Sequence, residues 1–124
     1  MKKTNISILV IDDSATSRMV VSKQLSKMGY ENVMTAVDGD DALDKLNTKR
    51  PDVIFLDLVM PKKSGLEVME DIRKKYGEKN YPYVIAMTAN ELTTDKTKCI
   101  KAGMNDFITK PVTMDNLNKV LQNI

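Results

Sequence analysis

Four short stretches of the chain are rich in β-branched or apolar residues at consecutive positions: Ile6–Ile11, Val53–Leu56, Tyr83–Met87 and Phe107–Thr109, with a weaker one over Asn32–Val37. The strongest two are apolar on both faces, as in strands of a parallel sheet covered on both sides. Between them the apolar positions switch to a helical period. Met19, Val20, Leu25 and Met28 make one stripe, closed by Gly29; Ala42, Leu43 and Leu46 make a second. Leu66, Val68, Met69 and Ile72 make a third, closed near Gly77; Leu92, Cys99 and Ile100 make a fourth, closed by Gly103; Leu117, Val120, Leu121 and Ile124 make the last. A glycine just past a helix supplies the left-handed residue that ends it. The pattern predicts strand–helix repeated five times, hence an α/β fold with a parallel sheet and right-handed crossovers.

In an open sheet of this kind the ligand site lies beyond the carboxyl ends of the strands, near the point where strand order reverses. The residues at those ends are Asp12 and Asp13, then Asp57, then Thr88, then Lys110 followed by Pro111. Three carboxylates, a hydroxyl and an ammonium are thus expected on one rim.

Composition narrows what that rim does. The 124 residues suit one domain, and no linker or low-complexity segment divides them, so residues 1–124 are expected to form a single unit without an output domain. Nineteen basic against 17 acidic residues leave a net charge of +2, too weak a bias for a domain driven by nucleic-acid phosphates. There is no His and a single Cys, which excludes imidazole acid/base chemistry, an internal disulfide and any ordinary zinc site. No apolar run approaches the ~20 residues of a membrane helix. A cytoplasmic location and a monomer are the corresponding expectations.

Either Asp12 or Asp13 also suits the N-cap of a helix beginning at Ser14. A cap does not account for the pair, nor for Asp57 at the end of an apolar strand. Carboxylates a few ångströms apart repel by roughly 4 kcal/mol at an effective dielectric of 20, and without a partner one would protonate. A hard divalent cation removes the conflict, and Mg²⁺ favours one or two carboxylates with waters and phosphate oxygens. Lys110, although Lys is mostly a surface residue, follows a strand and suits a phosphate oxygen. Thr88 suits either a plain strand residue or an anion donor. Asp57, so surrounded, is a carboxylate nucleophile for phosphoryl groups. Other phosphate sites fit less well. There is no P-loop or dinucleotide fingerprint, and Asp12 and Asp13 would repel a phosphate held by Ser14–Ser17. A calcium loop at Asp38–Asp41 lacks the required ligand and glycine beyond it. The nine Met, among them Met19, Met28, Met69 and Met87, read as core gap-fillers, as does Cys99. Asp71, Arg73, Lys74, Lys75, Glu78 and Lys79 read as a solvated helix end.

Asp12-Asp13, Leu56-Asp57-Leu58-Val59-Met60-Pro61, Met87-Thr88-Ala89, Ala102-Gly103-Met104 and Lys110-Pro111, in this order and over essentially the whole chain, resemble the receiver domain of two-component response regulators. The resemblance implies a doubly wound, flavodoxin-like (βα)5 domain with strand order 2-1-3-4-5. It implies that Asp57 accepts a phosphoryl group from a histidine kinase or phosphotransfer protein, and that Asp12, Asp13, Asp57 and the carbonyl of Val59 bind Mg²⁺. Thr88 and Lys110 would bind the phosphoryl oxygens, with a cis bond between Lys110 and Pro111. Phe107 fills the aromatic switch position, where many relatives carry Tyr. By the same resemblance, Val59 and Asn90 would flank the approach of the hydrolytic water. Output would pass to a protein partner through the fourth helix, fifth strand and fifth helix, in phosphorelay or chemotaxis-type signalling. Such a protein is a switch that assists its own phosphorylation and dephosphorylation rather than a turnover enzyme. A phosphatase of the haloacid-dehalogenase type would want an acid at position 59, where Val stands. A receiver-like domain that only binds partners would lack a site residue, and none is missing.

Overall fold

The computed structural model describes residues 5–60, 63–77, 82–89 and 93–124, with backbone alone for 93–95. Ten elements alternate: β1 (Ser7–Ile11), α1 (Ala15–Lys27), β2 (Asn32–Ala36), α2 (Gly39–Thr48), β3 (Val53–Asp57), α3 (Gly65–Tyr76), β4 (Tyr83–Thr88), α4 (Thr93–Lys101), β5 (Asp106–Thr109) and α5 (Met114–Leu121). The strands form one parallel sheet in the order β2-β1-β3-β4-β5. Strand order therefore reverses at β1, and the crevice it opens lies between the carboxyl ends of β1 and β3.

The period-two alternation of the strands splits the core into two layers. Ile8, Val10, Phe55, Ile85, Met87 and Ile108 face Val21 and Leu25 of α1 and Leu117, Val120 and Leu121 of α5. Leu9, Ile11, Ile54, Leu56, Val84 and Ala86 face Ala42 and Leu46 of α2, Val68, Met69 and Ile72 of α3, and Cys99 of α4. All five residues of β1 and of β3 are buried, which is why those strands read as unbroken apolar runs.

Helix phase differs from the sequence reading at several positions. In α1 the inward pair is Val21 and Leu25, four residues apart, and Met28 packs beside them. Met19 and Val20 sit two and one positions before Val21, rotated about 200° and 100° around the helix, and are 52% and 41% exposed. Ile100, one position past the buried Cys99, also turns outward, and Ile124 lies exposed beyond the end of α5. Leu92 falls outside the described residues.

The helix end at α3 is not uniformly solvated either. The Arg73 guanidinium donates to the Gly103 carbonyl from Nε at 3.2 Å and Nη2 at 2.6 Å, and Nη2 also reaches Asn105 Oδ1 at 3.3 Å. Asp71 pairs with Lys63, and Lys75 donates to Asn47 Oδ1 at 2.8 Å. Glu78 and Lys79 lie outside the described residues.

Candidate functional site

Each rim residue is delivered by the end of a strand. Asp12 follows β1, and its backbone N–H continues the ladder to the Ala36 carbonyl at 3.1 Å. Asp57 and Thr88 are the last residues of β3 and β4, one position further into the strands than the apolar runs indicate. Lys110 follows β5, its N–H donating to the Thr88 carbonyl at 2.7 Å, and the Leu58 N–H donates to the Met87 carbonyl at 3.1 Å. The end of β4 thus ties both neighbouring strand ends into one rim. The Lys110–Pro111 bond is cis.

At the crevice, carboxylate oxygens of Asp12, Asp13 and Asp57 all lie within 4.8 Å of one another. Asp12 and Asp57 are buried, whereas Asp13 is exposed. Lys110 Nζ lies 2.9 Å from Asp12 Oδ2 and 3.5 Å from Asp57 Oδ2. Backbone donors hold the other oxygens: Ser14 N–H to Asp12 Oδ1 at 2.9 Å, and Val59 N–H to Asp57 Oδ1 at 3.2 Å.

The electrostatics follow from this crowding. Burial first, and the Asp12 charge second, push the Asp57 carboxyl up to about 6, against the opposing pull of Lys110 and the Val59 N–H. Burial disfavours the Lys110 ammonium, but the Asp12 and Asp57 carboxylates outweigh it and hold its pKa above the ordinary lysine value. One ammonium faces three carboxylates, so with all groups ionised the cluster carries a net charge of about −2. Clustered hard oxygen donors with that residual charge fit a divalent cation of the Mg²⁺ class.

Thr88 is buried at the end of β4. The β4–β5 register pairs Ala86 with Phe107 and Thr88 with Thr109, so Phe107 shares a sheet face with both Ala86 and Thr88. The Phe107 ring is half-buried, and Lys96 Nζ lies 4.8 Å from its centroid. The Val59 side chain stands 80% exposed. Asn90 and Pro61 lie outside the described residues.

Neither Asp12 nor Asp13 caps α1. Ser14 does, its side chain accepting from the Ser17 N–H at 3.2 Å, while Asp12 accepts from Ser14 itself. A hydroxyl cap leaves both acids available to the rim. Two contributors carry no motif. Arg18 Nη1 donates to the Asp12 carbonyl at 2.8 Å from the first turn of α1. Gly65 opens α3 so close to the end of β3 that an added Cβ would lie 2.8 Å from Leu58 Cα and collide with the Asp57 carbonyl oxygen. The only signal for Gly65 is a glycine directly after the Ser64 cap; for Arg18 there is only its position about one turn after the acids.

Fold and rim together define a doubly wound domain with an acidic, cation-ready cluster at its topological switch point. The chain matches the response regulator receiver domain over residues 8–122 and belongs to that family. It is 37% identical over 115 residues to hybrid signal transduction histidine kinase H of Dictyostelium discoideum, covering 90% of this chain and 8% of that protein. Curated relatives that it matches are long proteins, of which it spans less than a tenth. Among solved structures, chemotaxis protein CheY4 of Vibrio cholerae superposes with a TM-score of 0.88 at 31% identity, over 96% of this chain and 98% of that one. The receiver domain of a Pseudomonas aeruginosa sensor histidine kinase, solved with a magnesium ion coordinated in its active-site cleft, superposes at 0.80 with 30% identity over 95% of each chain. No helix among the described residues is long and apolar enough to cross a membrane.

Proposed function

We propose that this receiver domain is a phosphorylation switch whose acceptor is Asp57. The observation that carries the reading is the single ammonium of Lys110 set between Asp12 and Asp57 at the switch point. An Asp57 oxygen attacks the phosphorus of a phosphohistidine, the phosphorus–nitrogen bond breaks, and the imidazole leaves with its electron pair and takes up a proton. Asp57 must be ionised to attack. Lys110, already beside its Oδ2, then pairs with a phosphoryl oxygen in place of the carboxylate. The Val59 N–H steadies the other acceptor oxygen, and Thr88 offers its hydroxyl from the end of the adjacent strand. Asp12, Asp13 and Asp57, with the Val59 carbonyl, would hold Mg²⁺, which when bound neutralises negative charge on the phosphoryl oxygens.

The donor is a histidine kinase or a phosphotransfer protein. Output passes to a protein partner through the face formed by α4, β5 and α5, which carries Phe107. That the domain acts as a monomeric, cytoplasmic switch rather than a turnover enzyme belongs to the same proposal. Incubation with acetyl phosphate and Mg²⁺, read by intact mass, tests it. One labile phosphoryl adduct is expected in the wild type and none in Asp57→Asn; an undiminished adduct in that variant refutes Asp57 as acceptor.

A further inference from the structure

A groove of about 770 Å³ runs between α3 and α4, apart from the carboxylate rim. Leu66, Glu70, Arg73 and Lys74 line it at helical spacing along one face of α3, and Lys98, Lys101 and Ala102 do so from the end of α4. Leu66 and Ala102 give it an apolar floor, with cations around it. Its basic end lies at the sheet edge opposite Asp57, because Arg73 there reaches the loops that precede β4 and β5, at Pro82 and Gly103.

Among the described residues, Glu70 is the one acid that lines the groove. Among the described lysines, those paired with carboxylates are Lys45 with Asp41, Lys63 with Asp71, and Lys110 with Asp12 and Asp57. Among the described residues, none of Lys74, Lys98 and Lys101 pairs with a carboxylate. Among the described residues the half-buried Arg73 guanidinium has neutral oxygens as its partners, and burial lowers its pKa. Basic residues in a last helical turn do answer the helix dipole, but two helix ends together offset only about one charge. Glu70 offsets another. Counted over the described lining residues, about two positive charges remain above an apolar floor, in a chain whose whole net charge is +2.

We propose that this α3–α4 groove is a docking site for an acidic segment of a partner protein, with one apolar side chain of that segment seated on Leu66 and Ala102. The site is independent of the phosphoryl chemistry at Asp57.

The test titrates the full chain with a synthetic glutamate-rich peptide carrying one central leucine, followed by amide NMR shifts. Saturable shifts at Leu66 and Ala102 are expected, weakening as salt is raised. The double reversal Lys98→Glu with Lys101→Glu should reduce affinity about tenfold or more, equivalent to about 1.4 kcal/mol. Lys74→Glu, on the other helix, should weaken it as well and serves if the double variant does not fold. The proposal is overturned if the groove amides do not move, if the folded charge-reversal variants bind as the wild type does, or if a glutamine version of the peptide binds equally. Tighter binding of a short single-stranded RNA than of the peptide at this groove also overturns it.

Discussion

Lys110 Nζ lies closer to Asp12, at 2.9 Å, than to Asp57, at 3.5 Å. Asp12 is fully buried, so this ion pair carries the desolvation of that carboxylate. Removing one partner of a buried pair is costly because the other charge is left uncompensated. Lys110→Met should therefore destabilise the metal-free chain by about 1–3 kcal/mol, with Lys110 itself partly exposed. Mg²⁺ should restore part of the loss by supplying positive charge to the same carboxylates. Urea unfolding with and without Mg²⁺ measures both; an equal loss in the two conditions contradicts a shared electrostatic role.

The Asp57 carboxyl, raised to about 6, makes stability depend on pH. An acid whose folded pKa exceeds its unfolded value of about 3.9 favours the folded state when protonated. That contribution is complete below about pH 4 and is lost as pH rises through about 6. The interval corresponds to at most about 3 kcal/mol. Asp57→Asn should flatten this dependence and leave the metal-free chain more stable than wild type at pH 7.5. Mg²⁺ affinity of the wild type should fall as pH drops below about 6, where protons compete for the acceptor. Unfolding curves across pH, with calorimetry for the metal, check the sign of each.

Gly65 is a packing requirement of the acceptor strand. Its N–H donates to the Leu58 carbonyl at 3.0 Å, and an added Cβ would meet backbone, which cannot swing aside as a flexible side chain can. Gly65→Ala should cost about 1–3 kcal/mol, the range for overpacking, and slow phosphorylation by displacing the Asp57–Leu58 turn. Gly77→Ala, where nothing among the described residues stands within 4 Å of the added carbon, is the contrast: it should lose stability through its positive φ and leave the phosphorylation rate unchanged.

Much of this was legible in the sequence because it is local. A β-branched run ending in a carboxylate reads directly as a buried strand delivering Asp57 to the rim, and four strand-end motifs in order, with Ala102-Gly103-Met104 ahead of β5, carry the family resemblance. Helix phase was harder to read. Around α1 the apolar residues Met19, Val20, Val21 and Leu25 cover more than one face, and only packing against α5 and the sheet selects Val21 and Leu25. Arg73 reads as one charge among several because its acceptor is the Gly103 carbonyl, 30 residues away. Gly65 and the Ser14 N–H act through backbone proximity, which no residue-type pattern records.

The exposed Val59 side chain stands two residues after Asp57 and offers no hydrogen bond to a water attacking the acyl phosphate in line. Val59→Asn should shorten the phosphorylated lifetime several-fold, and Asn90→Leu should lengthen it. Decay of the phosphorylated mass after donor removal, at fixed Mg²⁺ and pH, is the measurement. Equal half-lives in wild type and both variants would remove these two positions from the kinetics.

In the proposed switch, Phe107 links the site to the output face. It shares a sheet face with Thr88, and its partner in the register is the small Ala86; in the proposed switch the ring moves inward past Ala86 once Thr88 turns toward a phosphoryl group. In the unphosphorylated chain Lys96 stands over the ring at 4.8 Å, a contact worth about 0.5–1 kcal/mol at an exposed site. Phosphorylation shifts the two ring positions only by its differential interaction with them, and a move from 1:99 to 99:1 needs about 5.5 kcal/mol. Within that proposal Lys96 is a trim on the balance and Thr88 the principal link. Thr88→Ala should accept phosphate yet leave the Phe107 ring resonances near their unphosphorylated positions. Lys96→Ala should shift the resting population inward by about two- to fivefold, as that contact energy implies. If Thr88→Ala reproduced the wild-type shift of Phe107 on phosphorylation, the coupling would have to run through another strand.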